Sequence, residues 1–250
     1  MDDKFAIYDE FEGPELDTGL WRPARLPRPD GSEHVPLDPN GELRVGGGEL
    51  RVEIPRFSLA DDALQSVDSP KYLLFSTAEF ELPPDRPASF AADLAVENVG
   101  GDPGDYRRAM AAFHAFDFPS RRVFAVCGTS TRAFALHELL GLDGGGAEEP
   151  FYHVTESPYA DIEGDFGRFR ACEISLDRAT STATWRVDGQ RIYEARTPIP
   201  ERARLGIGIW TMLPIRDGRS QSLAGQGLNA RWRGFRVRGA DPVPAVKHAP

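Results

Sequence analysis

Residues 107–118 read RRAMAAFHAFDF and are followed by RRVFAVCGTS at 121–130, TRAFALHELL at 131–140 and FYHVTE at 151–156; these four runs decide the fold. Each is alternating or wholly apolar, too short for a stable helix, and closed by turn residues: PSRR after Phe118, and the glycine-rich GLDGGGAEEP after Leu140. That is the pattern of strands joined by hairpins. ALHELL has helical propensity by itself, but AFAL ahead of it alternates and Gly141 stops it, so a strand is expected there too.

Working outward, KYLLFSTAEFEL (71–82) and SFAADLAVENV (89–99) precede the central block, divided by the breaker PPDRP. GELRVGGGELRVEIP (41–55) reads as two short strands across a glycine turn, and 57–69 has room for one helical turn. After the block come FRACEISLD, STATWRVDGQRIYEA, RLGIGIWTML and LNARWRGFRV. The Asp188-Gly189 pair is a strong hairpin signal, because both residues accept positive φ at low cost. No repeat and no linker interrupts the series. One domain over 1–238 is expected, with 239–250 (GADPVPAVKHAP) a mobile tail that has nothing to pack.

The chain carries 29 Lys and Arg against 39 Asp and Glu, a formal charge of -10, which opposes a nucleic-acid surface or an anionic-membrane patch. No apolar run approaches the ~20 residues that span a bilayer. The acidic start, MDDKFAIYDEFEGPE, lacks the basic and apolar regions of a signal peptide, so a cytoplasmic protein is expected. In that setting Cys127 and Cys172, in separate strands, are expected as two buried thiols. Gly144, Gly145 and Gly146 are not followed by Lys-Ser/Thr or a helix start, and no dinucleotide fingerprint occurs; no cofactor is expected.

Short antiparallel strands throughout imply an all-β protein of two sheets packed face to face. The order of landmarks, DEFEG then LDTGLW, GELRV, the late FRACEISLDRATSTATWRVDGQRIYEA and the closing ARWRGFRV, resembles the concanavalin A-like lectin/glucanase (laminin-G-like) jelly rolls, and most of all small uncharacterised actinobacterial members. The resemblance implies an antiparallel β-sandwich with one curved sheet whose concave face is a ligand groove. It also implies, for the members that cut glycans, carboxylates two or three residues apart on one groove strand. No such triplet lies on a strand here; Asp161, Glu163 and Asp165 sit beside glycines in a loop. A structural calcium occurs in similar folds, but no residue set here singles one out.

The central block holds other candidates. By strand parity His114 shares a face with Met110, Ala112 and Phe116, and Asp117 with Ala111, Phe113 and Ala115; His137 goes with Ala133 and Ala135, and Glu138 with Phe134 and Leu136. The alanine faces leave room for a ligand, so they are taken as the cavity side, with Asp117 and His137 as a catalytic acid/base pair. Phe113, His114, Glu138, Tyr152, His153, Tyr159, Trp210, Met212 and Gln226 are the expected ligand-binding residues. The 216–227 loop serves as a lid. A metal held by His114, His137 and His153 is opposed by parity, and none is expected. The expected function is binding of a mostly apolar small molecule, with a cofactor-free cyclisation or isomerisation; the alternative is a carbohydrate-binding module or a glycosidase with an unusual carboxylate arrangement. Oligomeric state is left open.

Overall fold

The structure is a computed structural model and describes residues 4–28, 30–62, 69–141, 148–156 and 166–244. In chain order the strands are β1 (Ala6–Asp9), β2 (Trp21–Pro23), β3 (Leu26–Pro27), β4 (Glu33–His34), β5 (Glu42–Gly46), β6 (Glu49–Ile54), β7 (Ser69–Ser76), β8 (Ala78–Glu81), β9 (Ala88–Val99), β10 (Met110–Asp117) and β11 (Arg122–Gly128). They continue as β12 (Ala133–Leu139), β13 (Phe151–Thr155), β14 (Arg170–Asp177), β15 (Thr182–Val187), β16 (Gln190–Arg196), β17 (Arg202–Thr211), β18 (Ile215–Arg216), β19 (Arg219–Ser220), β20 (Gly227–Arg238) and β21 (Asp241–Pro244). No helix occurs among the described residues.

Two large antiparallel sheets result. The first runs β16-β15-β14-β9-β20-β6-β5 with β1 beside β20; the second runs β13-β12-β11-β10-β17-β7-β2 with β8 beside β17 and β21 beside β8. This is the β-sandwich expected from the sequence, a jelly roll. Asp188 and Gly189 take φ of 49° and 77° in the β15–β16 turn, which only a hairpin of opposite-handed turn geometry requires. ALHELL is indeed in a strand, β12, paired on both sides.

The core between the sheets is aromatic and aliphatic. Phe113 on β10 meets Phe235 on β20 at 5.5 Å between ring centroids, and Phe124 on β11 meets Trp185 on β15 at 6.0 Å. Trp232 is fully buried, and its indole N–H donates to the Ala112 carbonyl of the facing sheet at 3.1 Å. At the opening turn Asp9 accepts from the Trp21 indole at 2.7 Å and from the Phe11 amide at 2.8 Å, which pins the DEFEG and LDTGLW segments together.

One expectation is corrected. The segment after 238 is not free through its length: Asp241–Pro244 pairs with β8 as an outer strand. Pro242 and Pro244 lack the N–H that a central strand needs, but an edge strand bonds on one side only, so alternate prolines are tolerated there. Residues 245–250, and residues 63–68 of the 57–69 segment proposed for a helical turn, lie outside the described residues.

Because Trp232 fills the inter-sheet space and bonds across it, Trp232→Ala is expected to lower unfolding stability by about 3–5 kcal/mol. Chemical denaturation read by tryptophan fluorescence checks this.

Candidate functional site

The outer faces of the two sheets differ in kind. The first presents a lattice of opposite charges: Asp93 pairs with Arg233 at 3.0 Å and Arg236 at 2.8 Å, Glu173 with Arg238 at 3.1 Å, and Glu49 with Arg51 at 2.8 Å. That is an ordinary solvated face. The second carries a second apolar cluster, separate from the core: Leu73, Phe75, Met110, Ala112, Phe116, Val123, Ala125, Cys127, Phe134, Leu136, Trp210 and Met212. All are buried. A third apolar sheet face is not needed to hold a two-layer sandwich together, so it points to a ligand or a cover.

Register shows how the face is built. One row crosses five strands as Phe75, Gly206, His114, Ala125 and Leu136; the next runs Leu73, Gly208, Ala112, Cys127 and Phe134. Small side chains make the floor, and rings rise around it. A Cβ on Gly206 would stand 1.8 Å from His114 Nε2, and one on Gly208 would stand 2.1 Å from Trp210 Cζ3. Both glycines are therefore seats for rings. His114 then meets Phe75 and Trp210 edge-on at 5.5 and 5.6 Å.

Two polar atoms on this greasy face have no partner among the described residues: His114 Nδ1 and Trp210 Nε1, in side chains only 3% and 6% exposed. A buried orphan of this kind calls for a hydrogen-bonding ligand or water. Burial pushes the His114 pKa down to about 3, so the imidazole is neutral and offers one donor and one acceptor. Glu138 lies on the same face, level with Tyr152 across β12–β13, and Arg204 closes the Phe116 end, bound to Glu79 at 2.8 Å. At the other side a cleft of about 540 Å³ opens where Tyr106, Phe134 and Val154 meet Asp102, Asp105, Arg132 and Glu156.

The alanines expected to leave room for a ligand face the core instead. Ala111, Phe113, Ala115, Ala133 and Ala135 face the core, where small residues admit the large rings of the first sheet. Phe113, expected among the ligand-binding residues, is fully buried in the core between the sheets. His137 goes with them: its ring stacks on Phe124 at 5.4 Å and packs against Trp185 at 5.9 Å, and its Nε2 has no partner among the described residues. Asp117 caps the next turn, accepting the Ser120 amide at 2.9 Å. It is level with Leu139 rather than His137 and two strands away, which puts the two groups about 12 Å apart. They form no pair.

Of the other expected residues, His114, Glu138, Tyr152, Trp210 and Met212 come to the outer face. His153 is on His137's side, exposed at the edge strand. Gln226 is a buried strap whose amide donates to the Arg108 and Ser222 carbonyls and accepts from the Ala224 amide, so it holds the 216–227 loop down. Tyr159 lies outside the described residues. Since His114 faces outward and His137 and His153 inward, the three imidazoles do not converge. Missed from sequence were Leu73, Phe75 and Cys127; the Gly-x-Gly spacing on β17 was the available signal that rings cross there.

The profile of a family of unknown function, DUF6081, matches residues 8–241. No curated protein matches the chain. Among solved structures, it is similar in fold to the endo-β-1,3-glucanase of Pyrococcus furiosus, with 13% identity, a TM-score of 0.56 and coverage of 96% of both chains. It is also similar to the endo-1,3-β-glucanase of Streptomyces sioyaensis, with 13% identity, a TM-score of 0.56 and coverage of 92% of this chain and 94% of that one. A third is a LamA variant of Zobellia galactanivorans in complex with laminaritriose and laminaritetraose, with 12% identity, a TM-score of 0.56 and coverage of 92% and 96%. These likenesses establish the concanavalin A-like jelly-roll fold.

Two outcomes follow from the site's geometry. Gly206→Ala forces the His114 ring aside and is expected to cost about 1–3 kcal/mol; in a His114→Ala background most of that cost disappears, a coupling that a double-mutant cycle measures. The folded pKa values of His114 and His137, about 3 and about 4, lie below the ordinary 6.5, because both rings are buried and His137 also faces Arg122. The unfolded chain therefore binds more protons below pH 6.5, and the stability associated with the two neutral rings is full above that pH and lost as pH falls toward 4. Between pH 7 and 5 the loss is on the order of 2–4 kcal/mol, and denaturation series with His114→Gln show a shallower slope.

Proposed function

The chain belongs to the DUF6081 family of unknown function, and from that premise we propose that the apolar outer face of its second sheet binds a mostly apolar small molecule bearing a few hydrogen-bonding groups. The observation that carries this reading is the pair of ring nitrogens without a partner among the described residues, His114 Nδ1 and Trp210 Nε1, on a buried and mostly apolar face. The indole supplies a donor, the neutral imidazole a donor or an acceptor, and Leu73, Phe75, Phe134 and Leu136 supply contact area. Such a site also suits a cofactor-free cyclisation or isomerisation, in which enclosure holds one folded shape of the substrate and hydrogen bonds polarise it.

A second reading, carbohydrate binding, is favoured by the fold likeness to glucanases, one of them holding laminari-oligosaccharides. The cleft at Tyr106, with its mixed charges, is the more suitable place for a sugar. Hydrolysis by the usual pair of carboxylates has less support, since β10 presents Met110, Ala112, His114 and Phe116 to the outer face and no acid among them.

Titration with 1-anilinonaphthalene-8-sulfonate and with laminaritriose, followed by calorimetry, separates the two. The first reading expects micromolar binding of the apolar probe, weakened about 5–30-fold in Trp210→Phe, which keeps an aromatic side chain but deletes the N–H and part of the contact area. Binding of laminaritriose alone, insensitive to Trp210→Phe, would overturn it in favour of the second.

A further inference from the structure

Beyond the Trp210 end of that face lies a polar cluster that the groove does not use. Lys71 on β7 is fully buried, and its Nζ donates to the Leu59 carbonyl and lies 3.0 Å from Ser69 Oγ and 2.8 Å from Ser222 Oγ. Ser222, also fully buried, is 2.7 Å from Ser220 Oγ, and Ser220 is half-exposed at the end of β19. The three side chains thus form one line of hydrogen bonds from the interior to the surface. Ser69 pairs with Thr211 across β7–β17, which fixes the line beside Trp210.

The charges around it matter. Asp38 is the carboxylate whose field reaches Lys71, but its oxygens are taken by the Asn40, Ser58 and Leu59 amides and the Ser58 hydroxyl. Those bonds also set the Leu59 carbonyl on Lys71. Nearby, His34 of β4 and Arg28 share Asp61, and Asp62 accepts the Ser220 amide. Burial outweighs the attraction of Asp38 and lowers the Lys71 pKa to about 8. A neutral amine has two donors and one acceptor, which fits the cluster: donors to Leu59 and Ser69, and a lone pair for the Ser222 hydroxyl.

We propose that Ser220 is a nucleophile for acyl transfer, activated through Ser222 by Lys71 as the base. This is the logic of a serine with a lysine partner, extended by one hydroxyl. It stands independently of what the groove binds. Ser220 Oγ forms a bond to the carbonyl carbon of an ester or thioester; its proton passes to Ser222 Oγ while the Ser222 proton passes to Lys71 Nζ. The carbon–oxygen or carbon–sulfur bond to the leaving group breaks, and the alkoxide or thiolate takes the proton back along the same line. Water repeats the sequence on the acyl-serine, releasing the acid and restoring the Ser220 hydroxyl.

The test is covalent labelling of the intact folded chain with an alkyl fluorophosphonate, in which Ser220 Oγ displaces fluoride, read by whole-protein mass and peptide mapping. The expected result is one phosphonyl group on Ser220, at a rate that rises through about pH 8 and then levels. Ser220→Ala abolishes it. Lys71→Met and Ser222→Ala slow it by about a hundredfold or more and remove the inflection in the pH profile. Should Lys71→Met fail to fold, Ser222→Ala, which deletes one hydroxyl and leaves Lys71 two partners, carries the pH readout. A folded wild-type chain that stays unlabelled at about pH 9, an adduct that survives Ser220→Ala, or a rate without inflection overturns the assignment.

Discussion

Two missing side chains on β17 govern the second sheet. With no Cβ at Gly206 and Gly208, the rings of His114 and Trp210 can lie down on the backbone of the neighbouring strand positions instead of standing off it. That keeps β10, β17 and β7 in their continuous ladder while letting rings, rather than methyls, line the outer surface. It also places two ring nitrogens where neither strand has a partner for them. The functional reading of this protein follows from that steric arrangement more than from any charged group.

The sandwich has the usual two apolar faces turned toward each other, and their rings interlock across the gap: Phe113 with Phe235, Phe124 with Trp185, Trp232 with the backbone of Ala112. The first sheet ends in a mesh of arginines and acids. The second ends in leucine, phenylalanine, methionine and tryptophan. Surface ion pairs add little to stability, so the mesh mainly keeps one side wet and open. Against that background the dry side is the one on which the proposed ligand site rests.

Most of the architecture was legible because it depends on local chemistry: period-two alternation, Asp188-Gly189 at a tight turn, Gly141 stopping β12, and the Trp21 and Asp9 landmarks. Which face of β10 and β12 turns inward was not legible, since both faces are apolar. Alanine there means close approach of the other sheet, whereas it was taken for room, and only the partner strands reveal that Trp185, Trp232 and Phe235 occupy the space. The Asp117 and His137 pairing failed for a related reason. Parity says which side a residue takes but not its level along the neighbouring strand, and the hairpin register set the two apart. The proline-bearing end at Asp241–Pro244 was read as loose because edge pairing on one side leaves no local signature. Lys71 was hidden as a single polar residue at the start of an apolar run.

In the closing strand Gly234, at φ 60°, sits in a bulge where the register against β9 skips between Arg233 and Arg236. Trp232 and Phe235, three apart, consequently both point into the core, which strict alternation forbids. The bulge takes up one extra residue: were Trp232–Val237 to alternate strictly with none removed, Phe235 and Val237 would turn out to the charged side and Arg236 would be drawn inward. Removal of Gly234 should therefore leave the pairing on either side of it as it is, whereas flattening the strand with every residue kept would turn its core face outward.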